Sequence, residues 1–321
     1  MPIKKIAVLT AGGDAPGMNA AIRAVVRFAI SRNIEVVGVS KGYWGLINND
    51  IKAFDRRSVS GIISEGGTIL KTIRCPEFQT EEGRAKAFET IKKNSIDGMI
   101  VIGGNGSFTG ANIFCKKYNV LCMGIAASID NDINGIDATI GSDTAINTAL
   151  YAIDNIRDTA TSMERIFVVE VMGRDSGFIA LQAALTGGCE DVIIPERKFN
   201  LDEICQNIVE GNKQGRISWI IVVAEGVGSA VDIAKKINEV TKLETRAIVL
   251  GHLQRGGRPT AFSRELALTL GHAAVEALLN GESGKAVGLR MGKIILIDFE
   301  SAIQKKVIDT NGLYSLIRIL T

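Results

Sequence analysis

Residues 5–32 read KIAVLTAGGDAPGMNAAIRAVVRFAISR and indicate the fold class most clearly. The run Lys5–Thr10 is apolar without period-two alternation, which is typical of a parallel strand covered on both faces. A glycine-rich turn follows at residues 11–17, and the spacing of apolar residues over Met18–Arg32 predicts an amphipathic helix. Strand, glycine turn and helix in this order begin a βαβ unit.

The same alternation continues along most of the chain and indicates an α/β protein with doubly wound, mostly parallel sheets. Strands are predicted at Lys5–Thr10, Glu35–Ser40, Gly98–Ile102, Val120–Ile125, Ile166–Val171, Asp191–Ile194, Trp219–Ala224 and Ala247–Leu250. Helices are predicted at Met18–Arg32, Glu81–Lys93, Asp143–Asp158, Ser176–Leu185, Leu201–Asn212, Ala230–Thr241 and Arg264–Leu279. So many strands favour two wound domains. A TIM barrel is the competing architecture, but its regular alternation of one strand with one helix fits poorly over Lys41–Ile73.

Composition excludes several classes of protein. The 321 residues carry 37 Lys+Arg against 35 Asp+Glu, and a formal charge of +2 argues against a general nucleic-acid binder. Five cysteines without a CxxC pair and two histidines make a structural zinc site improbable. No apolar run approaches the roughly 18 residues of a membrane span, and the N-terminus does not read as a signal peptide. We therefore expect a cytoplasmic protein without nucleic-acid or membrane partners.

Two glycine turns follow predicted strands, where helix N-termini offer N–H groups to anions. Gly12 and Gly17 have the GxxxxG spacing of a P-loop, but Met18-Asn19 replaces the required Lys-Ser/Thr, which excludes that motif. The second turn, GGNGS at 103–107 followed by Gly110, misses the dinucleotide fingerprint by one residue. Both turns predict close approach of main chain to phosphate. The alternative is that they only make tight turns.

Charged residues are expected at the same strand ends. Asp130 and Asp132 follow a strand and could hold Mg²⁺ or accept a hydroxyl proton, although such a pair often only forms a turn. The second half places charged groups at strand ends, most of them beside glycine, where arginine suits phosphate oxygens. These segments are Arg165, Met172-Gly173-Arg174, Glu225-Gly226 and the run 251–257 with His252 and Arg255. The residues alone thus predict a two-domain α/β enzyme that handles two phosphorylated ligands.

In sequence order these motifs resemble those of bacterial-type ATP-dependent 6-phosphofructokinases over essentially the whole chain. The matching stretches are AGGDAPGMNAAIR at 11–23, RCPEF at 74–78, GGNGS at 103–107, IDNDI at 129–133, VVEVMGR at 168–174, GGCED at 187–191 and LGHLQRGG at 250–257. The resemblance implies the phosphofructokinase fold of two Rossmann-like three-layer α/β/α domains. Residues 1–140 plus 258–304 would bind ATP, and residues 141–257 plus 305–321 would bind fructose 6-phosphate.

The resemblance also implies a role for each matching residue. Asp130 would be the general base that takes the proton of the sugar's 1-hydroxyl, while Arg174 and Ser128 would steady the transferring phosphoryl group. The positions implied for ATP are Gly12, Arg74, Cys75, Gly104, Asn105, Gly106 and Ser107. Those implied for fructose 6-phosphate are Ser128, Asp130, Arg165, Met172, Gly173, Arg174, Glu225, Arg246, His252 and Arg255. Arg165 and Arg246 would reach the sugar phosphate from a neighbouring subunit of a homotetramer.

A regulatory site and a cofactor are implied as well. ADP or GDP as activator and phosphoenolpyruvate as inhibitor would bind at Arg23, Arg27, Arg56, Arg157, Gly188, Glu190 and Arg216. Without the resemblance, Arg23 and Arg27 would read as an ordinary solvated helix face. Mg²⁺ would act with ATP. Asn105 occupies the position of the family's Mg²⁺-associated aspartate, and Asp132 is a second candidate ligand.

The chain departs from the family pattern at several positions. Asn105 lacks the charge of an aspartate, Ala126-Ala127 replaces Pro-Gly, Ser128 replaces threonine, and Gln214 replaces lysine. Pyrophosphate-dependent relatives carry aspartate at Gly106 and lysine at Ala127, so ATP is favoured as donor. Asn105 also motivates a rival hypothesis, a catalytically weakened paralogue that binds nucleotide and sugar phosphate as a regulatory subunit. A pyrophosphate-dependent enzyme and, more distantly, an oxidoreductase are two further hypotheses for the function.

Overall fold

Two sheets organise the chain in the computed structural model, which describes residues 3–320. The strands are β1 (Lys5–Thr10), β2 (Glu35–Val39), β3 (Ile51–Phe54), β4 (Gly98–Gly103), β5 (Leu121–Ser128), β6 (Ile140–Gly141), β7 (Ile166–Val171), β8 (Asp191–Ile193), β9 (Trp219–Ala224), β10 (Thr245–Val249), β11 (Lys285–Arg290) and β12 (Lys293–Asp298). The helices are α1 (Met18–Ser31), α2 (Tyr43–Asn48), α3 (Glu81–Lys93), α4 (Asn105–Tyr118), α5 (Ser142–Met163), α6 (Phe178–Thr186), α7 (Leu201–Lys213), α8 (Ala230–Thr241), α9 (Ala261–Leu279), α10 (Phe299–Ala302) and α11 (Asn311–Leu320). Short 3₁₀ turns lie at Ile62–Ser64, Pro76–Gln79 and Gly251–Arg255.

The chain forms two compact units. The first contains the residues up to Thr144 and Arg255–Lys306, and the second contains Ala145–Gln254 and the residues from Val307 onward. The domain boundaries predicted from the sequence, and the ligand predicted for each domain, stay predictions. No helix within residues 3–320 is both long enough and apolar enough to cross a membrane.

The sheet of the first unit has the order β12-β11-β5-β4-β1-β2-β3, with β6 beside β5. All its pairs are parallel except those of the two edge strands, β12 with β11 and β3 with β2. The strand order reverses between β1 and β4, and ligands of open α/β sheets bind beyond the strand ends at such a point. The fold therefore directs attention to the turns that follow β1 and β4.

The sheet of the second unit has the order β10-β7-β9-β8 and is entirely parallel. Central strands β7 and β9 are almost continuously buried, as their apolar sequences predict. The predicted α/β class with wound, mostly parallel sheets is confirmed in both units.

The core of the first unit depends on close contacts between aromatic side chains and glycine. The rings of Phe108 and Phe299 are stacked, with centroids 5.2 Å apart, and both side chains are fully buried. They lie against Gly124 of β5, where an added Cβ would approach Phe108 to 2.6 Å and Phe299 to 2.7 Å. A glycine in the middle of this strand thus makes room for two rings that join α4 and α10 to the sheet.

The short strands β3 and β6 and the helices α2, α10 and α11 were not predicted. Two larger features also differ from the sequence-based expectation. The hairpin of β11 and β12 was not predicted, because its turn residues Met291 and Gly292, with φ of +49° and +72°, lack the usual Asn-Gly signal. The glycine turn predicted over 103–110 is wrong beyond Gly104, since α4 begins at Asn105. Burial of Phe108 and Phe114 stabilises this helix despite the low helix propensity of glycine.

The stacked aromatic pair gives a test of the core. Replacing Phe299 by alanine should lower the free energy of unfolding of the first unit by about 3–5 kcal/mol, because a fully buried ring leaves a cavity. Urea unfolding followed by circular dichroism measures the change. Met291→Ala is the control, because that side chain is 83% exposed in the same unit and should change the value by less than about 0.5 kcal/mol. Equal effects of the two variants would contradict this account.

Candidate functional site

The turn after β1 is held by the first turn of α4. The Ala11 N–H donates to the Ile102 carbonyl oxygen at 3.0 Å, and Ser107 Oγ donates to the Ala11 carbonyl oxygen at 2.8 Å. Gly12 has φ of +86°, and a Cβ there would lie 3.0 Å from Ser107 Oγ. Only glycine fits this conformation without strain. The structure thus brings together Gly12 and Ser107, which the sequence predicted as parts of one nucleotide site.

The start of α4 offers main-chain donors to an anion. Its N-cap, Gly104, has no side-chain cap, and its first turn contains no acidic residue. The Gly104 carbonyl oxygen accepts from the N–H groups of Ser107 and Phe108 at 3.0 Å. The N–H groups of Asn105 and Gly106 precede the first intrahelical bond, where acceptors within the helix are lacking. An added Cβ at Gly106 would meet nothing within 4 Å, so open space lies beside this positive helix end.

The loop after β5 carries two carboxylates in a fixed arrangement. Ser128 Oγ accepts from the Asp130 N–H at 3.3 Å and donates to Asp132 Oδ1 at 3.0 Å. Asp130 is only 3% exposed. Asn131 has φ of +48°, and its side-chain amide donates to the Asp137 carbonyl oxygen at 2.8 Å. Short side chains that bond to nearby main chain favour such left-handed residues.

Asn105 connects α4 to this loop. Its Nδ2 donates both to the main-chain oxygen of Asp132 and to Asp132 Oδ2, each at 3.1 Å. These two acceptors fix the orientation of the amide, so Asn105 Oδ1 lies on the other side. That oxygen is buried, and within residues 3–320 no hydrogen-bond donor reaches it. A buried acceptor without a partner is unfavourable, which makes it a candidate contact for a cation or for water bound to one.

Arg255 contacts the turn after β1, which is part of the first unit. Its Nη1 donates to the Asp14 carbonyl oxygen at 3.1 Å, and a Cβ on Gly13 would approach this nitrogen to 2.5 Å. The guanidinium group therefore packs directly on the turn after β1. The sequence predicted Arg255 as a sugar-phosphate contact and gave no sign of this packing. His252, its predicted companion, is an exposed residue of the 3₁₀ turn Gly251–Arg255.

Arg174 and Glu225 meet in the second unit, at the carboxyl ends of neighbouring strands β7 and β9. Glu225 Oε1 accepts from the N–H groups of Gly173 at 3.3 Å and Arg174 at 2.9 Å. Arg174 has φ of +52°, and its carbonyl oxygen would lie 1.9 Å from a Cβ on Gly226. The carboxylate and the glycine together fix the main chain that carries the exposed Arg174 side chain.

Met172 is fixed by a residue that sequence reasoning missed. The Met172 N–H donates to Gln254 Oε1 at 2.7 Å, and Gln254 is fully buried. The only signal for Gln254 was its place inside the quoted motif LGHLQRGG.

Arg165 and Arg246 lie elsewhere in the second unit. Arg165 directly precedes β7 and Arg246 is the second residue of β10, so both lie at amino ends of strands, whereas Arg174 follows the carboxyl end of β7. Both arginines pair with Glu244, Arg165 Nε at 2.8 Å and Arg246 Nη2 at 2.5 Å. The close contact with Arg165 is the main reason that the pKa of Glu244 is lowered. The structure therefore brings Arg165 and Arg246 together but separates them from Arg174 within one chain.

The residues predicted for effectors form separate groups. In the first unit, Arg23 Nη1 donates to the Val59 carbonyl oxygen at 2.9 Å, and burial together with the charge of Arg27 lowers the pKa of Arg23. In the second unit, Arg157 Nη2 donates to the carbonyl oxygens of Gly187 and Gly188, both at 2.7 Å.

The other residues predicted for effectors, and the residues Arg74 and Cys75 predicted for ATP, do not form one cluster. Arg157 Nη1 lies 3.5 Å from Glu190 Oε1, and Arg216 stacks over the Trp219 ring at 5.1 Å. Arg56 and Arg74 are exposed. Cys75 is half-buried, and this burial raises the pKa of its thiol.

Comparison with known proteins identifies the family. The phosphofructokinase family model matches residues 5–278. Relatives named ATP-dependent 6-phosphofructokinase include one from Clostridium acetobutylicum, 51% identical over 99% of this chain and 100% of the relative. Another, from Bacillus pumilus, is 53% identical over 98% of each chain. The solved phosphofructokinase of Saccharomyces cerevisiae has a TM-score of 0.89 at 37% identity, over 94% of this chain but only 45% of the yeast chain.

The resemblance drawn from the seven motifs is thus confirmed. The family match covers most of the length and includes the turns after β1, β4 and β5 and the segments that carry Arg174 and Arg255. The chain belongs to the phosphofructokinase family of enzymes.

Proposed function

We propose that the chain is an ATP-dependent 6-phosphofructokinase, which transfers the γ-phosphoryl group of ATP to the 1-hydroxyl of fructose 6-phosphate. The products are fructose 1,6-bisphosphate and ADP. Relatives about half identical over the full length carry this name. The observation that carries the proposal is the position of Asp130, a buried carboxylate in the loop after β5, which Asn105 joins to the start of α4.

Phosphoryl transfer requires positioning of the reactants and stabilisation of charge more than covalent chemistry by the protein. Asp130 accepts the proton of the sugar hydroxyl as the hydroxyl oxygen attacks the γ-phosphorus atom. The N-terminus of α4 and the Gly12 turn offer main-chain N–H groups to the ATP phosphates. Ser128 and Arg174 donate to the oxygens of the transferring group. Met172, Glu225 and His252 are proposed to orient the sugar.

The donor set at Asn105 and Asp132 fits Mg²⁺, a hard cation that prefers oxygen ligands and takes one or two of them from protein in nucleotide sites. Asn105 Oδ1 is buried without a hydrogen-bond partner among residues 3–320, and Asp132, which accepts from the Asn105 amide nitrogen, supplies a carboxylate to the same site. These two residues would hold the cation directly or through its water. When bound, Mg²⁺ neutralises charge on the phosphate oxygens.

ATP is the proposed donor rather than pyrophosphate. The open space beside Gly106 leaves room for a nucleotide, and Ala127 is buried and uncharged where pyrophosphate-dependent relatives would have lysine. A matrix of ATP, GTP and pyrophosphate against fructose 6-phosphate, tagatose 6-phosphate and sedoheptulose 7-phosphate tests donor and acceptor together. The highest kcat/KM should belong to ATP with fructose 6-phosphate. A higher value with pyrophosphate would reject the donor assignment.

We further propose a homotetramer in which Arg165 and Arg246 contact the sugar phosphate bound to a neighbouring subunit. Their position at the amino ends of β7 and β10, away from Arg174, supports this arrangement. Light scattering after gel filtration tests the assembly. Mixing Asp130→Asn subunits with Arg246→Ala subunits should restore activity if the two residues act from different chains.

Asp130→Asn should lower kcat by about 10²–10⁴-fold, the usual contribution of a positioned general base. The amide keeps the shape but cannot accept the hydroxyl proton in the same way, so ATP binding by calorimetry should change little. Steady-state kinetics with ATP, Mg²⁺ and fructose 6-phosphate measures the effect. Asp50→Asn, an exposed carboxylate in the same unit, is the matched control. Wild-type turnover no higher than that of Asp130→Asn would favour the hypothesis of a catalytically weakened regulatory subunit.

Asn105→Asp should lower the Mg²⁺ concentration needed for half-maximal rate by about three- to tenfold, because it adds a negative charge where a hard cation binds. The control is Asn112→Asp, which adds the same charge to the same helix two turns further on. Both variants are assayed at saturating ATP while Mg²⁺ is varied. If neither variant shifts the Mg²⁺ requirement, or if both shift it equally, residue 105 does not act through the cation.

Arg27 is proposed to bind an anionic effector, ADP or GDP as activator or phosphoenolpyruvate as inhibitor. Arg27→Ala should raise the effector concentration for half-maximal response by about tenfold, the loss expected for one charge-assisted contact. Arg32→Ala is the control, since Arg32 caps the same helix and is exposed. Rates are measured at subsaturating fructose 6-phosphate with each effector titrated. An unchanged response in Arg27→Ala would reject the site.

A further inference from the structure

Lys306 is a half-buried residue that has no part in the site described so far. Its Nζ donates to two main-chain carbonyl oxygens, that of Asn131 at 2.9 Å and that of Ile136 at 2.6 Å. Both acceptors belong to the loop that begins at Asp130, and they lie five positions apart. One ammonium group therefore joins the two ends of a short loop, although its own position in the sequence is about 170 residues away.

Burial of an ammonium group is unfavourable, so its retention needs a reason. Burial is the main cause that lowers the pKa of Lys306, and the charges of Asp137 and Asp132 act in the opposite direction. Its two hydrogen bonds go to carbonyl groups rather than to a carboxylate. An apolar side chain could fill the same space, but it could not hold these two carbonyl groups.

The acceptors of Lys306 lie close to the reacting group. Asn131 directly follows Asp130, is fully buried and has a left-handed φ of +48°. The neighbour of Lys306, Lys305, forms a main-chain bridge with Ile133. Lys306 is also the last residue of the first unit before the chain enters the second. The segment 305–306 thus runs along the loop 131–136 and contacts it at Asn131, Ile133 and Ile136.

We propose that Lys306 is a positioning residue for phosphoryl transfer, which holds the Asp130 loop through the carbonyl oxygens of Asn131 and Ile136. The proposal rests on the proposed function, because Asp130 is the general base there. Loss of the two hydrogen bonds lets the loop move, while the proposed nucleotide and sugar contacts outside this loop stay in place. A displacement of the base by about 1 Å is enough to lower a rate by about 100-fold.

The test compares Lys306→Met, Lys306→Arg and Lys305→Met in the full-length protein. Lys306→Met should lower kcat by about 10- to 100-fold while the KM values for ATP and fructose 6-phosphate change less than about threefold. Lys306→Arg keeps donors for two carbonyl groups and should recover part of kcat. Lys305→Met should behave as wild type, because the Lys305 side chain is exposed and its bridge uses main chain only.

Hydrogen–deuterium exchange supplies a readout that does not depend on activity. Amides of residues 128–137 should exchange faster in Lys306→Met than in wild type, and Lys306→Arg should restore slow exchange. If Lys306→Met does not fold, as judged by circular dichroism, Lys306→Gln takes its place, since it keeps much of the length of the side chain with a neutral donor.

The outcomes separate this proposal from the proposed function. A wild-type chain without kinase activity rejects the proposed function, whereas the exchange experiment still reports on the hydrogen bonds of Lys306. A kcat within twofold of wild type in Lys306→Met or Lys306→Gln overturns the proposal. So does a parallel change of kcat and KM without rescue by Lys306→Arg, because that pattern indicates a general loss of structure.

Discussion

The hydrogen bonds from the first turn of α4 to the loops after β1 and β5 hold the central part of the first unit together. Ser107 fixes the turn that contains Gly12, and Asn105 fixes Asp132. Since the same turn also supplies the free N–H groups of a helix end, anion binding and placement of the carboxylates are set by one element. Any change that rotates α4 would move both at once.

The substitution at position 105 alters this constraint in a physically simple way. An aspartate there would face the carboxylate of Asp132, and the two would repel each other until a cation bound between them. The amide of Asn105 donates to Asp132 instead, so the contact is attractive without a cation. The chain therefore keeps the loop after β5 in place with protein hydrogen bonds, to which Lys306 adds two more.

Much of the fold could be predicted from the sequence, because buried parallel strands such as β1, β4, β7 and β9 are continuous apolar runs. The edge hairpin of β11 and β12 could not, since half-exposed strands joined by Met291-Gly292 lack both a long apolar run and a standard turn signal. In the site, short motifs indicated Gly12, Asp130 and Arg174. Gln254 and Lys306 were missed because each acts through a contact with residues far away in the sequence, which no local pattern reveals.

The order of the strands in the sheet has a consequence for synthesis of the protein. In the first unit β5 pairs with β11, and Phe299 completes the core of this unit. Both β11 and Phe299, however, follow most residues of the second unit in the chain. As the polypeptide leaves the ribosome, the edge of β5 at residues 123–125, which β11 will cover, stays open until more than 150 further residues have been made. During that interval the growing chain exposes an unsatisfied strand edge and an unfilled aromatic pocket, which are the features that chaperones bind and that promote aggregation.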